Sequence, residues 1–503
     1  MKKWDVIIIG SGISSLTCAA LLSKKGKSVC VLEQYNKPGG YLHCFNRFGE
    51  RFDTGAHYIG AMGKGQPFYT LLNFLKVYEQ SHFVPLDPNG FDVLKFPDFQ
   101  VEFPQGYPQI IERLSELFPN EHLAITTYFS KIQEVAQNFP TYEFSEETDI
   151  SPIMHLLEKS LASVVEELTT NQKLQAVFYA YCTLHGVEAT EVSFAMHAIV
   201  TDSLIRGPYG FAKGGDALAK SFVKRIEDQG GNIFFRKKVS QIKTENKLFK
   251  SVVTEDGEIF EGTWLISAIH PKATFALVDE QNIFTPAFTQ RMKKIKESGG
   301  IFGIYAVCET KPHLSPLKNY HYFGSSEPSR MLKYEDKPSK PNAVFLSPAN
   351  RTGDTTKNAF SMNIHAASPI AWFDPQNALS YGKRSFTYKN TKENFANSII
   401  ELLDSFESGF KSSLSQFVTS SPVTNLHFNG SAEGSSYGIY HSSENTGARA
   451  LGPRTHIANL LLTGQSTLFP GLLGAAISGL RTAGHILGIK PLLKELRESV
   501  EHP

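Results

Sequence analysis

The chain has 503 residues, and its 50 lysines and arginines against 49 aspartates and glutamates leave a net charge of +1 with histidine neutral. That balance creates no field to gather nucleic acid, so nucleic acid is not an expected partner. The length is about three times that of a usual domain, enough for at least one large core and, more simply, for two intertwined domains.

Residues 6–9, Val-Ile-Ile-Ile, are a β-branched run too short for a helix and too apolar for a surface, which predicts a buried parallel strand. Gly10 and Gly12 follow at once. A helix is expected from near Ile13, with Leu16, Ala19, Ala20 and Leu22 inward and Gly26 ending it, and residues 29–32 supply a second strand. This order suits a dinucleotide. A pyrophosphate must sit against bare backbone N–H groups at the positive end of a helix, where a Cβ would hold it away. Gly10 makes the turn, Gly12 permits the approach, and Ile13, Ser14 and Ser15 open the helix. Ser15 stands where the pattern has its third glycine, and its small side chain is expected to be tolerated. Glu33, ending the second strand, is placed to accept hydrogen bonds from a ribose hydroxyl; an acid there repels a 2′-phosphate, which argues against NADP at this site. Gly39 and Gly40 form a second place where backbone comes close to phosphate. With the first strand starting by Trp4 and no run of 18 apolar residues, a cytoplasmic chain is expected, with peripheral membrane contact left open.

Three runs then stand in order: G-S-G-I-x-x-L from Gly10, L-E-Q-x-x-K-x-G-G-x-x-H-x-F from Leu32, and F-D-T-G-x-H-Y-I-G from Phe52. Together they resemble the phytoene desaturase, carotenoid isomerase and all-trans-retinol saturase group of flavoproteins, the saturase branch most closely. The resemblance implies an α/β fold: a Rossmann-like FAD-binding domain, discontinuous over residues 1–66, 210–298 and 430–490, interleaved with an α+β substrate domain over 67–209 and 299–429. It also implies FAD as cofactor and an apolar polyene or other lipid as substrate.

Residues 67–209 change character, with amphipathic helical stretches at 112–118 and 153–168. The runs starting at Tyr181 (Y-C-T-L-H-G-V-E), Ser193 (S-F-A-M-H-A) and Gly207 (G-P-Y-G-F-A-K-G-G-D-A-L) resemble the saturase branch again, and the last opens a helix over 217–229. Short strands and an Asp256-Gly257 turn then suggest a β-meander back in the nucleotide domain. In related flavoproteins the residue matching Val239 meets the adenine through its main chain. Residues 300–307, 343–346 and 360–364 read as strands of a second, larger sheet, and 391–406 as a helix. Near the C-terminus a strand ends at Thr463-Gly464, Gln465 follows, and a glycine-rich helix begins near Gly471 with Leu472, Leu473 and Gly474. Its N-terminus can stabilise negative charge on a reduced flavin; the simpler alternative is a helix of small residues built for packing.

His57 and Tyr58 are the polar pair expected beside the flavin ring, because the matching segment in this superfamily runs there; a histidine can supply a proton near neutral pH and a phenol can relay one. His185 and His197, and Tyr437, Tyr440 and His441, are weaker candidates, and Lys64, Lys213 and Arg206 are cations on motif-linked loops that could meet a polar head group. The five cysteines are scattered, with no C-x-x-C pair and no histidine cluster at metal spacing, so no metal is expected. No second G-x-G-x-x-G follows residue 40, so electrons would come from an external donor, transiently bound NAD(P)H or the substrate itself. The reading is an FAD-dependent oxidoreductase acting on carbon–carbon double bonds of a polyene lipid, by saturation, desaturation or cis–trans isomerisation, among which the sequence does not choose. Two rivals are a prenyl-lipid binding protein like the Rab GDP-dissociation inhibitors, without redox chemistry, and a flavin amine oxidase, which would be expected to carry arginine where Tyr41 follows Gly40.

Overall fold

The computed structural model describes residues 3–145, 149–310, 312–331, 333, 338, 340–352, 360–373, 382–446 and 449–501. The first strand, Lys3–Ile9, lies between Val29–Leu32 and Ile259–Ser267 and is parallel to both. Alternation decides what each face meets. Val6, Ile8, Val29 and Val31 pack under the helix Ile13–Lys24, whereas Ile7, Ile9, Cys30 and Leu32 pack on the opposite face. Asn232–Phe234 extends the sheet beyond Val29–Leu32. The long strand Ile259–Ser267 serves two neighbours: its first half pairs antiparallel with Leu248–Thr254, and its last three residues pair parallel with Leu460–Leu462. With Val239–Glu245 the sheet has seven strands, and the expected meander turns at Gly257, which takes φ +83°.

The C-terminal helix Gly471–Leu487 starts where the sequence placed it and packs against the first helix. Contact is close enough that a Cβ on Gly479 would lie 2.2 Å from the Ser14 carbonyl oxygen. Small residues therefore serve packing as well as the helix start. Gly479→Ala is expected to lower stability by about 1–3 kcal/mol, the usual cost of overpacking, because backbone must move to make room. Denaturant unfolding of the variant checks it, and an unchanged midpoint refutes the contact.

The second sheet also has seven strands, ordered Leu414–Ser420, Gly300–Cys308, Phe360–Ser368, Ala343–Pro348, Asn319–Phe323, Asp92–Lys95 and Gln100–Phe103. It is thus equal in strand number to the first sheet, not larger. Phe302, Ile304, Val344, Leu346 and Ile364 on one face pack against the helix Phe386–Phe406. Two of its strands come from the stretch before residue 209 that sequence patterning read as helical. The helix expected over 153–168 is broken into Met154–Glu158 and Leu161–Leu168, because Ser160 caps the second by accepting from the Ser163 N–H. The helix expected at 112–118 runs Tyr107–Leu117, and that at 217–229 runs Asp216–Asp228. A small sheet of Tyr58–Ile59, Tyr209–Phe211 and Phe83–Pro85 completes the core of the molecule.

Candidate functional site

One cavity of about 730 Å³ runs from the carboxyl ends of the first sheet to the open face of the second. At the nucleotide-sheet end it is lined by Gly10, Gly12, Ile13, Ser14, Glu33, Gly39, Gly40, Val239, Gly464, Gln465, Leu472, Leu473 and Gly474. Gly40 and Gly464 stand 424 positions apart in the chain, and the parallel pairing of Leu460–Leu462 beside Ile259–Ser267 brings the two ends of the cradle together. Gly10, Gly39 and Gly464 take φ of +88°, +118° and +114°, which a side chain would strain. A Cβ on Gly12 or Gly471 would meet no protein atom within 4 Å, so it would project into open space that a ligand needs. Neither Gly12 nor Pro470, the N-caps of the two helices, gives a side-chain cap, which leaves first-turn N–H groups free to meet an anion. Glu33 is buried, with Oε2 accepting from the Ser11 N–H at 2.9 Å and the Ser11 hydroxyl at 2.5 Å, and Oε1 accepting from the Tyr35 N–H at 2.8 Å. It thereby braces the glycine turn. Ser15, expected among the binding residues, lies behind the cradle: it is fully buried and its hydroxyl donates to the Gly12 carbonyl at 2.8 Å, the close helix packing that the missing third glycine would otherwise serve.

The other end is walled by the second sheet. Register places His321, Phe345 and His365 side by side on three adjacent strands, and Phe345 and His365 line the cavity with Ile301, Tyr305 and Ala367. His57 and Tyr58 lie over this row. The His57 ring is 4.4 Å from that of His365, and Tyr58 stacks on Phe345 with ring centroids 5.9 Å apart. From the helical side Thr183, Leu184, Ile199, Val200 and Tyr437 close the wall. Tyr41 spans the space behind Gly40, its hydroxyl donating to the Ser435 carbonyl at 2.8 Å.

Behind this wall is a polar network that motif reading missed. Asp92, fully buried, accepts from the hydroxyls of Tyr58 at 3.1 Å and Tyr181 at 3.0 Å and from the Asn319 amide at 2.8 Å. Arg351 is also buried; it donates to the Asn319 and Ser347 side chains and to the Pro316 carbonyl. A Cβ on Gly210 would lie 2.2 Å from Arg351 Cδ, so this glycine makes room for the guanidinium stem. Burial, then His365 and Arg351, hold the His57 imidazole well below its usual value, and burial holds His365 down to about 4. Both rings are therefore neutral at pH 7. Burial, then the Asp92 charge, raises the Tyr58 phenol, and its proton is committed to that carboxylate.

The remaining candidates divide. Tyr437 lines the cavity; the Tyr440 hydroxyl is bound to Glu191, and His441 is buried outside the lining. Arg206 pairs with Glu143, Lys213 lies 3.4 Å from His82 Nε2, and Lys64 is exposed; none of the three lines the cavity. His185 and His197 meet Cys182 behind the wall, a grouping that local spacing did not show. All five cysteines are buried and outside any disulfide. Among the described residues no helix is long and apolar enough to cross a membrane. Asp92, His321, Arg351 and His365 come from stretches without a motif. The one local signal is strand alternation: His365 has the opposite parity to Met362, Ile364 and Ala366, which face the sheet's helix.

Residues 8–75 match the NAD(P)-binding Rossmann-like domain family. All-trans-retinol 13,14-reductase of Rattus norvegicus is 26% identical over 523 residues, spanning 97% of this chain and 86% of the reductase. The 1-hydroxycarotenoid 3,4-desaturase of Flavobacterium sp. (strain P99-3) is 27% identical over 268 residues, 51% of this chain and 54% of the desaturase. Of solved structures, putrescine oxidase bound to putrescine superposes with a TM-score of 0.64 at 15% identity, covering 97% of this chain and 99% of the oxidase. Rab GDI from Plasmodium falciparum superposes with a TM-score of 0.54 at 11% identity, covering 97% of this chain and 98% of its own. Both rival readings thus share the fold, and at such identity the fold is all that these likenesses show. The resemblance to the retinol saturase branch extends along nearly the whole chain, that to the desaturase along half of it. A Rossmann-type unit and these oxidoreductase neighbours support a flavin or nucleotide cofactor.

Proposed function

We propose that this chain is an FAD-dependent oxidoreductase that saturates a carbon–carbon double bond of a polyene lipid. The observation that carries the reading is the single cavity joining two uncapped helix starts and Glu33 to an apolar, aromatic wall. Full-length similarity to retinol reductases favours saturation over desaturation or isomerisation. The proposed domain plan is the one read from the sequence, a cofactor domain over 1–66, 210–298 and 430–490 and a substrate domain over 67–209 and 299–429. Tyr41 in the position after the glycine pair weighs against an amine oxidase, and the combination of Glu33, Gly39, Gly40 and the Gly464 to Gly474 segment weighs against a lipid chaperone.

The residues present fit FAD. Gly10, Gly12, Gly39 and Gly40 would hold the pyrophosphate, Glu33 the ribose, the Val239 backbone the adenine, and the turn from Gly464 to Gly474 the ring. When bound, FAD supplies hydride transfer, with electrons from an external donor or NAD(P)H. Phe345, Tyr58 and Tyr305 present ring faces that position a polyene and exclude water. His57, which the sequence suggested as a proton donor, is neutral with Nδ1 enclosed without a partner, so Nε2 is left to orient the water that protonates carbon rather than to give up a proton itself. Tyr58 holds the wall through Asp92 and Phe345.

The purified protein is expected to carry noncovalent FAD, and a colourless protein that gains no flavin absorbance on incubation with FAD refutes the enzyme reading. Glu33→Ala is expected to weaken FAD binding by about 1–3 kcal/mol, the cost of buried donors left without a charged acceptor; unchanged affinity in a titration would place Glu33 outside the site. For the chemistry, dithionite-reduced protein mixed anaerobically with retinoids and carotenoids should add two hydrogens to the product mass. Altered double-bond geometry at constant mass would mean isomerisation instead. His57→Ala is expected to slow turnover by no more than the roughly 10²- to 10⁴-fold that a positioned proton-transfer group contributes, with Tyr58→Phe milder, while flavin stays bound and reducible. Wild-type rates in both variants would remove them from the site.

A further inference from the structure

We propose that Cys182, His185 and His197 bind a thiophilic d10 cation, copper(I) or zinc, that ties together two elements of the cavity wall. Cys182 sits in the turn Ala180–Leu184, His185 caps that turn, and His197 lies in the first turn of the helix Phe194–Arg206. All three side chains are fully buried, and the thiol sulfur and one nitrogen of each ring lie within 4.8 Å of one another. His185 Nε2 and His197 Nδ1 are 3.2 Å apart. Two imidazole nitrogens bound at ordinary length to one tetrahedral ion stand about 3.3 Å apart, so the pair already has a coordinating separation. The other nitrogen of His197 is 3.1 Å from the Tyr128 hydroxyl, the outer hydrogen bond that fixes a ligand's tautomer and leaves Nδ1 as the lone-pair donor.

One thiolate and two imidazoles form a soft set that selects copper(I) or zinc over magnesium, calcium or manganese. Copper(I) would leave the buried site neutral, whereas zinc would keep one positive charge and an open fourth position. Binding exchanges the Cys182 thiol proton for the cation, with the proton released to solvent and no change in oxidation state. The consequence lies in the wall. Thr183 and Leu184 in the turn, Gly186 just after it, and Ile199, Val200 and Ser203 on the helix line the same cavity, so an ion held between the two elements would set their spacing.

Elemental analysis of the full-length, tag-free protein is the test, after dialysis against a weak chelator under reducing conditions. The expected result is about one copper or zinc per chain, lost to background in Cys182→Ser and His185→Asn and kept in Cys18→Ser. Copper or zinc identifies the ion and supports the site in either case. Should the cluster variants fail to fold, cobalt(II) loading of the wild type decides: a near-ultraviolet thiolate-to-cobalt band is expected. A folded wild type that neither holds nor takes up copper or zinc, a cobalt spectrum without that band, or full metal content in Cys182→Ser overturns the proposal.

Discussion

Lowering the pH from 7 towards 4 is expected to unfold this protein, driven by histidines that the fold keeps neutral. Burial is the largest cause in each case: it holds His365 and His441 down to about 4, and it holds His57 well below the usual value. In the unfolded chain each takes a proton near pH 6.5. Between that value and the folded one the unfolded state binds more protons, so the stability is fully present above pH 6.5 and is lost as the pH falls. For His365 and His441 the loss is about 3 kcal/mol each by pH 4, already comparable with the 5–15 kcal/mol, roughly, of a whole domain. Asp53 and Asp202, whose carboxyls burial raises, work in the opposite sense and offset part of the loss near the bottom of this window. Melting temperature followed against pH checks the prediction. A flat profile from pH 7 to 4.5 would show that these rings are solvated, and His365→Asn should remove a measurable part of the slope.

Asp92→Ala is expected to cost about 3–5 kcal/mol, the penalty of breaking a buried charged network by removing one partner. The substitution leaves the Tyr58 and Tyr181 hydroxyls and the Asn319 amide without their acceptor, all within a buried wall. It also removes one of the two carboxylates, with Asp53, whose charges favour the buried Arg351 cation. Asp92→Asn keeps an acceptor oxygen for Asn319 and should cost clearly less. Because Tyr58 stacks on Phe345, loss of its anchor is expected to loosen the wall as well as destabilise the fold. Denaturant unfolding of both variants is the measurement. A change within about 0.5 kcal/mol for Asp92→Ala, the range of an ordinary surface substitution, would mean that water replaces the carboxylate and the network is not enclosed.

Local sequence determined the parts of this protein whose physics is local. The run of Val6, Ile7, Ile8 and Ile9, the glycines at 10 and 12, the turn residue Gly26 and the acid at 33 specify strand, turn, helix and strand within one short segment, and the elements form where the pattern places them. The same holds for the helix start at Gly471. What the sequence could not determine is what meets across hundreds of residues. Whether Asp92 is a surface acid or the acceptor for two phenols depends on Tyr58, Tyr181 and Asn319 arriving from three other elements. The neutral pair of His57 and His365 exists only because the register of Ala343–Pro348 with Phe360–Ser368 sets His365 beside Phe345, facing the cavity. The grouping of Cys182 with His185 and His197 likewise appears only once the helix Phe194–Arg206 folds back on the turn before it. Hydrogen-bond partners and burial are pairwise properties of the folded chain, and a one-dimensional pattern records only one member of each pair.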